Sequence, residues 1–436
     1  MDLHVDELEA DIARLPWSVP LADWPAELLV GLPRGISRHP VRFVELAGRI
    51  VAVKETQEPI ARREYEVLAA LSSLDAPAVK PLGYITGRTD AQGAPLPGAL
   101  LTPHLEFSLP YRALFSRQLA ANTASRLVDA LAVLLVRLHL AGFFWGDVSL
   151  SNTLFRRDAE AFAAYLVDAE TGELHPSLSA GQREHDLELA RVNLAGDFMD
   201  LQAGGLMDAE ADPLEMVNLL LERYRALWDE LTATEEFADE ERWRIDQRIR
   251  RLNALGFDLG EFTVTTDLDG TTTRIEPKVV EPGHHARRLD RLAGIRAQEG
   301  QARRLLNDLD SYRAAVGLGD ASEEEAARSW LEHAYEPLLG MVPPELEGRL
   351  EGPQIFHEFL DHRWFLSERT GHDMDAAAAM RSYIDTVLAR RPRESTFFRA
   401  PDTQALAEVR AAETGAGSDA AGTAAAAPTD EERAAP

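Results

Sequence analysis

Asp147 and Asn152 stand five positions apart in "GDVSLSNTLF", and Asp168 ends the apolar run "YLVD" further on. A carboxylate, a carboxamide and a second carboxylate beside apolar segments suit the transfer of a phosphoryl group to a hydroxyl. That reaction needs a carboxylate near the acceptor hydroxyl and oxygen ligands for Mg²⁺, because charge developing on the phosphates must be neutralised. Asp147 fits the first task, and Asn152 with Asp168 the second. Upstream, Lys54 closes the β-branched run "IVAVK", which lays its stem along an apolar sheet face. In the helical pattern that follows, Glu64 shares a stripe with Ile60, Val67, Leu68 and Leu71. A carboxylate in such a stripe is costly without a cation, and Lys54 is the nearest one. An ammonium held in this way can be presented to nucleotide phosphates. The bland alternatives are that Glu64 turns to solvent, that Lys54 is an ordinary edge residue, and that Asp-x-x-x-x-Asn arises by chance. The order of the four elements, and the strand, helix and loop on which they fall, weigh against chance.

These side chains need elements to position them. "VRFVEL" and "RIVAVKE" read as strands flanking a tight turn at Ala47-Gly48. "EPIARREYEVLAALSSL" reads as a helix, with Pro59 tolerated in its first turn. "AVKPLGYITG" and "GALLTPHLEF" read as two more strands, and "TASRLVDALAVLLVRLHLAG" as a long helix. Short strands at "NTLF" and "AAYLVDAE" surround the Asp147 segment, and 184–256 reads as helical and acidic. Residues 1–30 read as a short acidic helix and a Pro-punctuated lead-in. Near 257 a second unit begins, with a hairpin signal at Asp269-Gly270, then helices to about 390. The tail 401–436, rich in Ala, Gly, Thr and acids, reads as disordered.

The pattern Leu138-His139-x-x-Gly142-x-x-x-x-Asp147-x-x-x-x-Asn152-x-Leu154 resembles the catalytic loop of the protein-kinase-like superfamily. "VAVK" resembles the strand carrying that family's phosphate-binding Lys, and "VDAE" its metal-binding Asp segment. The departures narrow the likeness. Gly146 stands where the family has Arg, which is similar to aminoglycoside, choline and lipopolysaccharide kinases, and Trp145 replaces the usual His. Ser149 replaces a Lys, and no Ala-Pro-Glu segment follows. Asp186 in "REHDLELA" matches the family's buried Asp. The layout of about residues 25–395 also resembles the bacterial domain-of-unknown-function family 4032, whose N-terminal half is lipopolysaccharide-kinase-like.

The resemblance implies an α+β, bilobal protein-kinase-like fold: a small antiparallel sheet lobe at 31–106 and a helical lobe at 107–256. A mostly helical C-terminal domain with a β-hairpin follows at 257–400. It implies ATP and Mg as cofactors, with Lys54 on the α/β phosphates, Glu64 orienting Lys54, Asp147 catalytic, and Asn152 and Asp168 on metal. Backbone groups around His104 to Glu106 would meet adenine, while Gly35, Ser37 and Arg38 in "GLPRGISRHP" would approach the phosphates or else form a surface turn. The alternative is a pseudokinase, a nucleotide-binding or protein-interaction module that has lost transfer. Trp145, Ser149 and the lack of G-x-G-x-x-G favour it, and the intact Lys54, Asp147, Asn152 and Asp168 oppose it.

Composition sets limits. The 436 residues carry a net charge of −28, from 45 Lys+Arg against 73 Asp+Glu. Such a surface repels phosphodiester backbones, so nucleic acid is a poor partner. No Cys is present, which excludes disulfides and thiolate chemistry. Without an apolar run of spanning length or a signal core, no membrane span is expected and the cytoplasm is the expected location. The expected partners are a nucleotide and a hydroxyl-bearing substrate of unknown identity. Two further clusters stand out. His284, His285, Arg287, Arg288 and Arg291 form either an anion-binding face or a basic face paired with the acidic N-terminal domain. His357, Glu358 and His362 hint at a metallohydrolase, but an i, i+5 spacing puts the two imidazoles on different helix faces.

Overall fold

Ala47 and Gly48, with φ of 48° and 77°, make the left-handed two-residue turn that matches strand twist. They join β2 (Val41–Leu46) to β3 (Arg49–Thr56). The computed structural model describes residues 1–32, 39–115, 123–208, 210–233, 235–238, 247, 250, 257–266 and 272–391. Gly35, Ser37 and Arg38, the turn at Asp269-Gly270 and the tail at 401–436 lie outside the described residues.

With β1 (Asp2–Val5), β4 (Gly83–Thr86) and β5 (Gly98–Pro103), the hairpin builds an antiparallel sheet in the order β1-β4-β5-β3-β2. The strand period of two splits β3 between the faces. Val51 and Val53 pack with Trp17, Leu21 and Trp24 on one side. Lys54 falls on the other side, toward helix α2 (Glu58–Ser73). The N-terminal expectation needs correction, because residues 2–5 form a strand, antiparallel to β4 with Asp2 opposite Thr86. The expected short acidic helix is α1 (Glu9–Ile12), and the Pro-punctuated lead-in after it makes 3-10 turns at Leu21–Asp23 and Ala26–Leu28. A four-residue edge strand takes its hydrogen-bond partners from β4, so its own composition carries little signal. Arg88, 1% exposed, fastens this lead-in. It pairs with Glu55 at 2.7 Å and donates to the carbonyls of Trp17 and Val19 at 3.1 and 2.8 Å.

The chain enters the helical lobe through residues 104–107, then β6 (Ser108–Pro110) and α3 (Tyr111–Phe115). Helix α4 (Thr123–Leu140), β7 (Phe143–Phe144), β8 (Thr153–Asp158), β9 (Ala161–Leu166) and β10 (Glu173–Leu174) follow, then α5 (Ala180–Ala203) and α6 (Pro213–Thr232). Leu127, Leu131, Leu134, Leu135 and Leu138 give α4 an apolar stripe at the heart of this lobe's core. Helix does not run on to 256: β11 (Glu235–Ala238) pairs with β13 (Thr272–Pro282), which also pairs with β12 (Phe257–Thr266).

Helices α7 (His284–Ala293), α8 (Glu299–Ala315), α9 (Glu323–Trp330), α10 (Glu336–Leu339), α11 (Gly352–Thr370) and α12 (Ala376–Thr386) enclose a separate core around Trp330, Phe356 and Tyr383. This domain grips the β8–β9 turn. Gln301, fully buried, bonds the Asp158 carboxylate through its N–H at 2.8 Å and the Arg157 carbonyl through its amide at 3.0 Å. Gln354 exchanges hydrogen bonds with the backbone of Ala159 at 3.1 and 3.2 Å. The architecture is thus α+β, a small antiparallel sheet lobe, a helical lobe and a mostly helical C-terminal domain with a hairpin, consistent with a kinase-like fold. Among the described residues no helix is long and apolar enough to cross a membrane.

Candidate active site

Lys54 meets Glu64 at 3.0 Å, Asp168 at 2.8 Å and Glu170 at 3.1 Å. Each partner arrives on a different element. The buried stripe of α2 runs through Ala61, Glu64, Leu68 and Leu71, with Ile60 and Val67 at its margin, and it carries Glu64 inward until it is 1% exposed. Asp168 follows β9, which a parallel bridge between Ala78 and Leu166 seats against the sheet lobe. Glu64 also accepts the N–H of Ala169 at 3.3 Å, and Asp168 that of Glu170 at 3.1 Å.

Three carboxylates around one ammonium leave a surplus of negative charge. Burial works against the Lys54 ammonium, but Glu64 and Asp168 outweigh it and hold its pKa above the usual lysine value. Glu64 is pushed above the ordinary carboxylate range, first by burial and then by the charge of Asp168. Oxygens of Glu64, Asp168 and Glu170 lie within 4.8 Å of one another, a hard-oxygen donor set that suits a divalent cation such as Mg²⁺.

The second cluster lies on the loop before β8. The Asn152 amide nitrogen donates to the Asp147 carbonyl at 3.1 Å and to its carboxylate at 3.2 Å, which leaves the Asn152 carboxamide oxygen for another partner. Asn193 donates to the other Asp147 oxygen at 3.0 Å. The β8–β9 ladder joins the two clusters, since Thr153 faces Leu166 and Val167 donates its N–H to the Asn152 carbonyl at 3.1 Å. Asn152 and Asp168 therefore leave adjacent ends of one hairpin.

Helix α5 holds this loop with a polar stripe. Asp186, fully buried, accepts the N–H groups of Trp145 and Gly146, each at 2.8 Å, and meets His139 at 3.0 Å. Seven and eleven residues on, Asn193 and Asp197 share its helical face, and Asp197 takes the N–H of Leu150 at 2.7 Å. Burial raises the Asp197 carboxyl to about 6 against the pull of that N–H. Gly146 sits at φ +77°, and a Cβ there would crowd Phe144 at 3.3 Å. Trp145, 0% exposed, supports the loop from within the core.

Other expected positions are less engaged. His104 donates its N–H to Ile50 at 2.8 Å, and burial lowers its imidazole to about 4. Glu106 is exposed on the same connection between lobes. His357 turns to Asp361 at 3.2 Å, whereas His362 bonds Ser382 at 2.9 Å, so the two imidazoles do not meet. The basic cluster finds acids within its own domain, His285 with Glu299 at 2.6 Å and Arg288 with Glu323 at 3.1 Å. Sequence reasoning passed over three residues at the site: Glu170, Asn193 and Asp197. The only signal was the 186–193–197 spacing of polar residues on one helix.

Residues 46–207 match the family model of the lipopolysaccharide kinase (Kdo/WaaP) family. This segment, which carries Lys54, Glu64, Asp147, Asn152 and Asp168, is similar to those kinases. Residues 226–388 match a second family model, a domain of unknown function, DUF4032, a narrower span than the 25–395 expected. A solved structure of WaaP in complex with acyl carrier protein is similar over 58% of this chain and 99% of its own, at 16% identity and a TM-score of 0.36. No curated protein matched. The likeness to lipopolysaccharide kinases supports a kinase-like phosphotransferase.

Proposed function

We propose that the protein is an ATP- and Mg²⁺-dependent phosphotransferase that moves the γ-phosphoryl group of ATP to a hydroxyl. The observation that carries this reading is Lys54, held between Glu64 and Asp168 at 3.0 and 2.8 Å. Lys54 binds the α/β phosphates, and Glu64, buried on α2, fixes its direction. Asp168 and the free oxygen of Asn152 hold Mg²⁺, with Glu170 as a further oxygen donor. The ion supplies neutralisation of phosphate charge. Asp147, oriented by Asn152 and Asn193, takes the acceptor proton as the new O–P bond forms. The bond between the γ-phosphorus and the bridging oxygen breaks, and ADP leaves. With the His104 N–H committed to Ile50, its carbonyl and the amides through Glu106 remain for adenine.

A pseudokinase reading draws on Glu170, whose carboxylate covers a face of Lys54 that phosphates would need. One experiment separates the two readings. Thermal-shift titration of ATP with and without Mg²⁺ should stabilise the wild type, with loss of the whole effect in Lys54→Ala and of the Mg²⁺-dependent part in Asp168→Ala. A screen of hydroxyl metabolites should then show turnover that Asp147→Asn removes. Binding without any turnover supports the pseudokinase, and no nucleotide binding at all sinks the kinase and leaves the pseudokinase only as a protein-interaction module.

A further inference from the structure

A cleft of about 260 Å³ lies away from Lys54, between α4, the β8–β9 hairpin and the start of α7 and α8. Its walls are apolar along Val133, Leu134, Phe162 and Ala164, and Arg137 stands among them. Arg137 donates through one Nη to the carbonyl of Asp75 at 3.1 Å, while its Nε is buried with no partner. Among the described residues it forms no ion pair.

The cleft's own acids are already engaged. Glu299 accepts the N–H groups of His285 and Ala286 and meets the His285 imidazole. Asp158 accepts the N–H of Gln301 at 2.8 Å, and Asp129 pairs with Arg223 at 3.3 Å. A guanidinium nitrogen shut off from water with no acceptor is costly, and burial lowers the pKa of Arg137 although the charges of Asp75 and Glu299 pull it back. In a chain of net charge −28, such a group is an invitation to an anion.

We propose that this cleft binds a small monocarboxylate with an aromatic or branched aliphatic body. The carboxylate would pair with Arg137, whose planar fork matches its geometry, and the body would lie on the wall of Val133, Leu134 and Phe162. A monoanion suits the site better than a phosphate dianion, because Glu299 and Asp158 line the same space. The volume sits just below the roughly 300–1,000 Å³ of ordinary ligand pockets, which limits the occupant to a small metabolite. Because the walls come from both the helical lobe and the C-terminal domain, an occupant also bridges them.

The test is calorimetric titration of the full-length protein with benzoate, benzyl alcohol, acetate and phenyl phosphate. Benzoate should bind, and the other three should bind at least about tenfold more weakly. Arg137→Gln should weaken benzoate about tenfold or more, and Ala163→Phe, which fills the cleft while keeping Arg137, should do the same. Circular dichroism would confirm that both variants, and the Lys54→Ala control, fold. Lys54→Ala should leave benzoate binding intact, which keeps the result independent of the nucleotide site. Absence of benzoate binding, binding unchanged in the folded cleft variants, loss in Lys54→Ala, or tighter binding of phenyl phosphate would each overturn the proposal.

Discussion

Gly146 gives its N–H to the Asp186 carboxylate across 2.8 Å, from a backbone held at φ +77°. The left-handed conformation lets consecutive amides, those of Trp145 and Gly146, converge on one buried acid. A side chain at this position pays about 1–2 kcal/mol for that φ. Gly146→Ala should therefore lower urea-unfolding stability by about that amount, and it should reduce turnover, since Asp147 is the next residue.

Asp147 and Asn193 can be told apart kinetically. Asp147→Asn should lower kcat by roughly 10²–10⁴-fold, the usual contribution of a positioned acid or base, with nucleotide affinity retained. Asn193→Ala, which removes only an orienting bond at 3.0 Å, should lower kcat by at most about 10²-fold with KM for ATP unchanged. A rise in KM with kcat preserved would show that Asn193 serves binding rather than orientation.

How much of this was legible in the chain depends on how local each signal is. Lys54 and Glu64 showed themselves because a strand period and a helix stripe are written in neighbouring residues. Asp147 and Asn152 showed themselves by fixed spacing in one loop. Asn193 and Asp197 did not, because polar residues on a helix read as a solvated face until the loop they serve is in place. Glu170 did not either, because its contact with Lys54 depends on the path of the chain after β9. Strand β1 escaped for a related reason, since its pairing partner lies some eighty residues away.

The Lys54–Glu64 pair should show strong coupling. Lys54→Met leaves Glu64 buried beside two other carboxylates, and loss of one partner of such a pair costs roughly 3–5 kcal/mol. Adding Glu64→Gln should recover part of that loss, giving a non-additive double-mutant cycle in urea denaturation at pH 7. Strict additivity would mean that the two groups do not interact in solution.

Asp197 predicts a pH dependence of definite sign. Its folded-state pKa of about 6 lies above the ordinary value of 3.8, so the folded protein binds the proton more tightly. The contribution is fully present below about pH 4 and is lost as pH rises through about 6. At 1.36 kcal/mol per unit, the stability of wild type relative to Asp197→Asn should fall by about 2 kcal/mol between pH 4 and pH 7. Unfolding curves at each pH would measure it, and a difference that grows with pH would contradict the assignment.

Arg88 decides where a working fragment can start. Its guanidinium reaches the carbonyls of Trp17 and Val19 while neutralising Glu55 inside the sheet lobe. Excising the chain at residue 31, the expected start of the sheet lobe, would strip two acceptors from a sealed cation and bare the shelf that Trp17 and Trp24 cover. The smallest autonomous piece must therefore begin ahead of Trp17, so what looks like a leader is masonry.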